Sequence, residues 1–286
     1  MRFTAFAWPF AVVCTTIAVA AFLLQDREPP ADIGFASAAP PKTWPDYSAS
    51  GAGFKVPAGD DGPLIAYGYE LITRTFANIG PEVEQRDMRF AGNNLTCQNC
   101  HLDAGTNRYA MPLAGTFKTY PKYSTRDHRV ISLSERLNEC MTRSMNGRPL
   151  PEESREMKAL LAFMRYVGDV PPAPAQPDPE TPPLAPDASR GAQVFVTVCA
   201  ACHQENGLGK RAGSVNDAGG YVFPPLWGSD SFNDGAGMDR YDRIVGFVRR
   251  NMPRGVDPLH PQLDLQQAWD VSAYVIARPR PHYQAR

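Results

Sequence analysis

Apolar residues recur at helical spacing in five stretches of the chain, and few stretches alternate in the manner of a strand. YGYELITRTFANIG (67–80) predicts a helix that stops at Gly-Pro. ISLSERLNECMTRSMNG (131–147) predicts a second, ending at Asn-Gly, with Ser134 as candidate cap and Glu135 in its first turn. PEESREMKALLAFMRYV (151–167) opens on Pro and acidic residues, then places Leu160, Leu161, Met164 and Val167 on one side. Late in the chain, SRGAQVFVTVCAACH (189–203) and LDLQQAWDVSAYVIA (263–277) read as an opening and a closing helix. The pattern is mainly α.

Two regions break it. An apolar run from Phe3 to Leu24, preceded by Arg2 and followed by charge, predicts an export signal or an uncleaved membrane anchor over 1–25. Cys14 falls in it and reads as an ordinary signal cysteine. VPPAPAQPDPETPPLAP (170–186) is dense in Pro and lacks aromatics, so it is expected not to pack and to form a semi-rigid extended linker. The expected layout is a tether or wrapping arm over 26–62, a domain over 63–169, the linker over 170–187 and a second domain over 188–286.

The cysteines assign chemistry to each half. LTCQNCH contains Cys97, Cys100 and His101, and VCAACH contains Cys199, Cys202 and His203. Cys-x-x-Cys-His is the attachment pattern of c-type haem: two thiols form thioethers and the imidazole ligates the iron. One Cys-x-x-Cys also suits a redox dithiol or half a zinc site, but two copies each followed by His predict two covalently bound haem c groups. An N-terminal helix crossing a C-terminal one beside the haem resembles the small class I cytochromes c, which implies two such folds in tandem. In that class the distal Met sits in a loop before the closing helix. Met252, in RRNMPRG, stands 49 residues after His203 and fits that position. The first half offers Met111 and His128 as weaker ligand candidates, while Met157 and Met164 read as core.

Of six cysteines, Cys140 alone has neither haem motif nor signal segment around it. It is a buried inert thiol, a free reactive thiol, or a thiolate on the first haem iron, and the last is favoured because an unpaired thiol in an oxidising compartment is exposed to wrong pairing. On the predicted helix Arg136, Cys140 and Ser144 are spaced four apart and share a face. Net charge is −1 over the chain, yet residues 105–150 hold Arg108, Lys118, Lys122, Arg126, Arg129, Arg136, Arg143 and Arg148 against Asp127, Glu135 and Glu139. Such a local basic excess beside a thiol suits a small anionic substrate. No aromatic stacking pattern accompanies it, which argues against nucleic acid.

NNLTCQNCHLDAGT, then YPKYSTRDHRVISLSERLNECMTRSMNGRPL, then the Pro-rich linker and a Met-ligated cytochrome domain together resemble the dihaem thiosulfate dehydrogenase family (TsdA type), whose N-terminal domain is similar to Sox-type cytochromes. The resemblance covers roughly residues 65–280 and implies His101 and Cys140 as axial ligands of haem 1. It also implies Arg126, Arg136 and Ser144 at the substrate site, oxidation of thiosulfate to tetrathionate, and electron exit through haem 2 to an external cytochrome or similar acceptor. Some members carry Lys immediately before the distal Met and use it as a ligand; this chain has Asn251, so steady His203/Met252 ligation is expected. The expected compartment is the periplasm. Competing readings are a non-enzymatic dihaem electron carrier, a dihaem peroxidase, and a Sox-type subunit that loads a carrier protein.

Overall fold

A Pro at the second residue opens helix α1 (Gly62–Thr73), which ends at Arg74, where the backbone leaves helical geometry (φ −136°, ψ 43°) before α2 (Thr75–Ile79) resumes. The single helix expected over 67–80 therefore begins earlier and breaks. At the break the Thr75 hydroxyl donates to Leu71 O (2.6 Å) and accepts from the Cys97 amide (3.1 Å), so the kink delivers a hydroxyl to the first Cys-x-x-Cys-His. The structure, a computed structural model, describes residues 43–48, 51–174, 178–214 and 219–284. The apolar run at 3–24, read as a signal or anchor, lies outside the described residues.

After the first haem motif the chain makes a short turn, α3 (Leu102–Gly105), with Asp103 and Ala104 in left-handed geometry. It then forms an antiparallel hairpin of β1 (Lys122–Ser124) and β2 (Arg129–Ile131), with Tyr123 opposite Val130. Helix α4 (Leu133–Arg143) carries Cys140. Its cap is Ser132, not Ser134: Ser132 Oγ accepts from the Glu135 amide (3.2 Å) and Glu135 Oε2 accepts from the Ser132 amide (2.7 Å), a reciprocal capping box. Helix α5 (Arg155–Val167) closes the domain, with Ser154 as its cap.

The second half follows the same plan. Helix α6 (Ala188–Val194) runs through a π-helical turn at Phe195–Cys199 into α7 (Ala200–His203). A two-stranded pair, β3 (Lys210–Arg211) and β4 (Tyr221–Phe223), leads to α8 (Tyr241–Asn251) and the closing helix α9 (Leu265–Ile276). In each half the first and last helices cross at a glycine. A Cβ on Gly68 would collide with Ala159 O of α5, and one on Gly191 with Asp270 O of α9. Close backbone approach of this kind needs the missing side chain, and it sets the crossing that shelters each haem motif.

Two cores result. Leu71, Ile72, Met157, Phe163, Met164 and Val167 fill the first, which confirms Met157 and Met164 as packing residues. Phe195, Val245, Val271 and Val275 fill the second around Trp227. Trp44, Tyr47 and Phe54 of the N-terminal arm pack on the first core, with the Phe54 ring stacked on Tyr69 at 4.2 Å. The Pro-rich linker, expected to run free, is docked at both ends. Val170 is buried, Gly115 lies under Pro171 and Pro172, Trp269 Nε1 donates to Glu180 O (2.9 Å), and the Leu184 amide donates to Gln266 Oε1 (2.8 Å). Polyproline backbone leaves its carbonyls unpaired, and here Trp269 of the closing helix takes up that of Glu180.

The two halves share a polar seam. Arg211 of the second half pairs with Glu82 of the first at 2.6 Å, and Asn94 binds Asp230 through its backbone amide at 3.0 Å. Asn233 donates to Thr142 O (2.8 Å) and its amide to Arg143 O (3.2 Å). A residue of the second half thus satisfies the last carbonyls of the Cys140 helix, groups that a helix end cannot pair internally.

Candidate functional site

The first centre forms where the haem motif meets α4. The Cys140 thiol lies beside the His101 side chain, and both Cys97 and Cys100 lie close enough to feel its charge. Burial pushes the Cys97 thiol up to about 11 and the Cys100 thiol up to about 12. Burial acts on Cys140 the same way, but Arg136 and His101 more than offset it and hold this thiol below its ordinary value. Of three neighbouring thiols, Cys140 is the one placed to be a thiolate.

His101 Nδ1 is tied to the backbone carbonyl of Met111, and His203 Nδ1 to that of Pro224 (2.8 Å). Fixing one ring nitrogen on a carbonyl leaves Nε2 to face a metal, the arrangement typical of ligating histidines. Burial pulls the His203 pKa down, which favours the neutral, ligating form. Sequence reasoning missed these two carbonyl anchors; both belong to residues flanked by proline, in AMPL and FPPL.

The second centre is a cavity of about 410 Å³ lined by Cys199, Cys202, His203 and Met252, with Phe223, Pro224, Ile244 and Val271 among its apolar walls. Two thiols, an imidazole and a thioether on an apolar pocket form a donor set that fits a covalently attached haem with His and Met on its two sides. Thr73, Phe76, Leu95, Cys100 and Leu102 of the first half also line this cavity, so the two centres adjoin. The Met252 loop is clamped to the first half from both sides: Asn251 Nδ2 donates to Tyr109 O (3.0 Å) and Arg254 pairs with Asp103.

Met111 packs with Leu102, Ala110, Phe247 and Met252, and His128 is exposed in the β1–β2 turn with φ 52°.

The basic excess divides. Arg108 lies over the Trp44 ring, Arg148 over Phe90, Lys118 pairs with Asp169 and Arg129 with Glu135; these are structural. Arg136 lies beside Cys140, with the Tyr120 hydroxyl and Glu139 (3.1 Å) as partners. Arg126 lies at the surface and donates to Gly235 O (3.4 Å), and partial loss of solvent around its guanidinium, together with Arg143 and Arg136, pulls its pKa down. Arg126, Arg136 and Arg143 therefore gather around the Cys140 helix. Burial and a hydrogen bond to Asp127 push the Glu139 carboxyl up, against the pull of Arg136 and Arg143. Glu139 was legible only as the i+3 partner of Arg136. Ser144 caps α4, its carbonyl accepting from Asn93 Nδ2 (3.0 Å).

A SoxA/TsdA cytochrome c domain model matches residues 88–169, and a cytochrome c model matches 188–277. The chain is 37% identical over 243 residues to the thiosulfate dehydrogenase of Stutzerimonas stutzeri, covering 82% of this chain and 76% of that one. It is 35% identical over 238 residues to the thiosulfate dehydrogenase of Allochromatium vinosum, covering 80% and 83%. The solved thiosulfate dehydrogenase (TsdBA) from Marichromatium purpuratum, in its as-isolated form, matches with a TM-score of 0.69 at 31% identity over 79% of this chain. The present chain spans about half (48%) of that structure's chain. With two tandem cytochrome c domains and two haem c groups, this oxidoreductase belongs to the thiosulfate dehydrogenase family.

Proposed function

We propose that the protein couples two thiosulfate dianions into one tetrathionate at Cys140, in the periplasm, and passes two electrons to an external cytochrome or similar carrier. The observation that carries this reading is the meeting of the Cys140 thiol with His101 on one side and Arg136 beside it. Cys97 and Cys100 would attach haem 1, with His101 and Cys140 to hold its iron; Cys199 and Cys202 would attach haem 2, with His203 and Met252 to hold its iron. Bound there, the haems supply one-electron acceptance, and a thiolate on the first with a thioether on the second favours flow from first to second. Asn251 commits its amide to Tyr109 O and Phe247 O (2.9 Å), which supports Met252 as the steady ligand.

The residues of the chain would work as follows. Two dianions about 5 Å apart repel by on the order of 10 kcal/mol at an effective dielectric constant of about 20. Arg126 and Arg136 offset this repulsion, and Ser144 donates its hydroxyl to a sulfonate oxygen. In one route the Cys140 thiolate joins the outer sulfur of the first thiosulfate, forming Cys–S–S–SO₃⁻ as two electrons depart. The second thiosulfate then attacks that outer sulfur, the S–S bond to Cys140 breaks, and tetrathionate leaves with the thiolate restored. In the other, Cys140 withdraws to admit substrate sulfur. Both require the thiol.

The test is thiosulfate-dependent ferricyanide reduction by haem-loaded protein, with tetrathionate assayed as product, beside Cys140→Ala of equal haem content. Turnover in the parent that vanishes in the variant is expected. Equal turnover in both would overturn the role of Cys140, and no turnover in the parent would leave an electron carrier.

A further inference from the structure

Around the Cys140 helix, Arg126 and Arg143 form no ion pair with a carboxylate among the described residues, and Arg143 is the more buried of the two. Arg143 sits in the last turn of α4, one residue before Ser144 and near Arg126. Its Nε is buried with no hydrogen-bond partner among the described residues, and no ion pair is formed by its guanidinium there. A buried donor left unpaired calls for an explanation, and for Arg143, at the end of the Cys140 helix beside Arg126, an anionic ligand supplies one. Arg148, on the same segment, shows the structural alternative: it stacks on Phe90 and also donates to Arg89 O (3.2 Å) and Asp87 O.

What holds Arg143 comes from the far end of the chain. The Tyr283 ring lies under its guanidinium at 4.2 Å. Tyr283 is itself fixed, its amide donating to Asp234 Oδ1 (2.7 Å) while His282 binds Asp234 Oδ2 (2.6 Å). Gly235 lies beneath the same ring, since a Cβ there would come within 2.7 Å of it, and Gly235 O accepts from Arg126. The segment 233–235 and the tail at 282–283 therefore orient Arg143 and Arg126 together, from the haem 2 domain. Stacking leaves the in-plane N–H donors of a guanidinium free for an oxyanion.

We infer that Arg143, held by Tyr283, is a third arginine contact for the anionic sulfur substrate and takes the sulfonate of the second dianion. The inference rests on the proposed reading of the site. Its charge balance calls for the extra cation: Arg136 is already paired with Glu139, while the two substrates bring four negative charges. Tyr283 is a positioning residue, acting through Arg143.

The experiment uses the full-length, haem-loaded protein and the variants Arg143→Gln, Arg143→Lys, Tyr283→Leu and Tyr283→Phe. Thiosulfate affinity is measured calorimetrically, and KM and kcat with ferricyanide, after haem content and melting temperature are checked. Arg143→Gln is expected to weaken thiosulfate binding and raise KM about tenfold or more, with Arg143→Lys intermediate. Tyr283→Leu should shift KM in the same direction by less, and Tyr283→Phe, which keeps the stacked ring, should restore it. Parent-like affinity and KM in well-folded Arg143→Gln would overturn the inference. A parent that binds thiosulfate without oxidising it would defeat the proposed reaction while the affinity comparison still decided Arg143. A parent that neither binds nor oxidises it would defeat both. Should Arg143→Gln not fold, parent-like affinity in Tyr283→Leu together with Arg143→Lys would count against the inference.

Discussion

Asn93 spends one side-chain amide on two carbonyls in different halves of the molecule, donating to Ser144 O at 3.0 Å and to Ser231 O at 3.1 Å. It is fully buried. The end of the Cys140 helix is thus pinned to the haem 2 domain through a single planar group. Asn93→Ala leaves both carbonyls without this donor and is expected to cost about 1–3 kcal/mol of stability. Urea unfolding followed by haem absorbance checks it, and a loss under about 0.5 kcal/mol, within the scatter of ordinary surface substitutions, would contradict the role.

Met252 lies in a loop clamped by its neighbours on both sides, so its side chain is removable without collapsing the pocket. Met252→Ala is expected to lower the potential of one haem only, because the thioether is what raises it. Spectroelectrochemical titration should show one unchanged and one shifted couple. Two shifted couples, or none, would count against Met252 as a ligand.

Asp270 anchors the α6–α9 crossing. Its carboxylate receives Arg190 Nε at 2.7 Å, the Asp187 amide at 2.8 Å and Gln266 Nε2 at 3.0 Å. Burial pushes this carboxyl up, but the hydrogen bonds, that of Arg190 foremost, outweigh it and hold its pKa below the ordinary value. A carboxyl with a depressed folded pKa stabilises above its unfolded value, about 3.9, and loses that contribution as pH falls through the folded one. Asp270→Asn should therefore melt several degrees lower than the parent at pH 7, and the gap should close below about pH 4. A gap independent of pH would assign the loss to packing instead.

Much of this was legible in the order of residues. The haem motifs rest on covalent chemistry that admits few alternatives, and the amphipathic helices on a period that burial enforces. What escaped were contacts between residues distant in the chain. The break at Arg74 follows from Thr75 reaching Cys97, a pairing that no local window contains. Ser134 looked like a cap, but Ser132 stands where Glu135 can return the bond. The linker looked unpackable because its own side chains are poor, whereas its Glu180 carbonyl is taken up by Trp269 from another helix. Of the basic cluster, spacing singled out Arg136, yet nothing local could separate Arg143 from Arg148, since their different fates depend on Tyr283 and Phe90.

The described residues fall within one compact unit, and the wall of the haem 2 cavity shows why. Phe76, Leu95 and Leu102, all upstream of the linker, complete a pocket whose ligands lie downstream. The halves look like interchangeable cartridges in the primary structure, but neither is a finished part. A fragment starting after the linker would present an apolar gap where these side chains belong, and a graft onto another cytochrome would have to supply them.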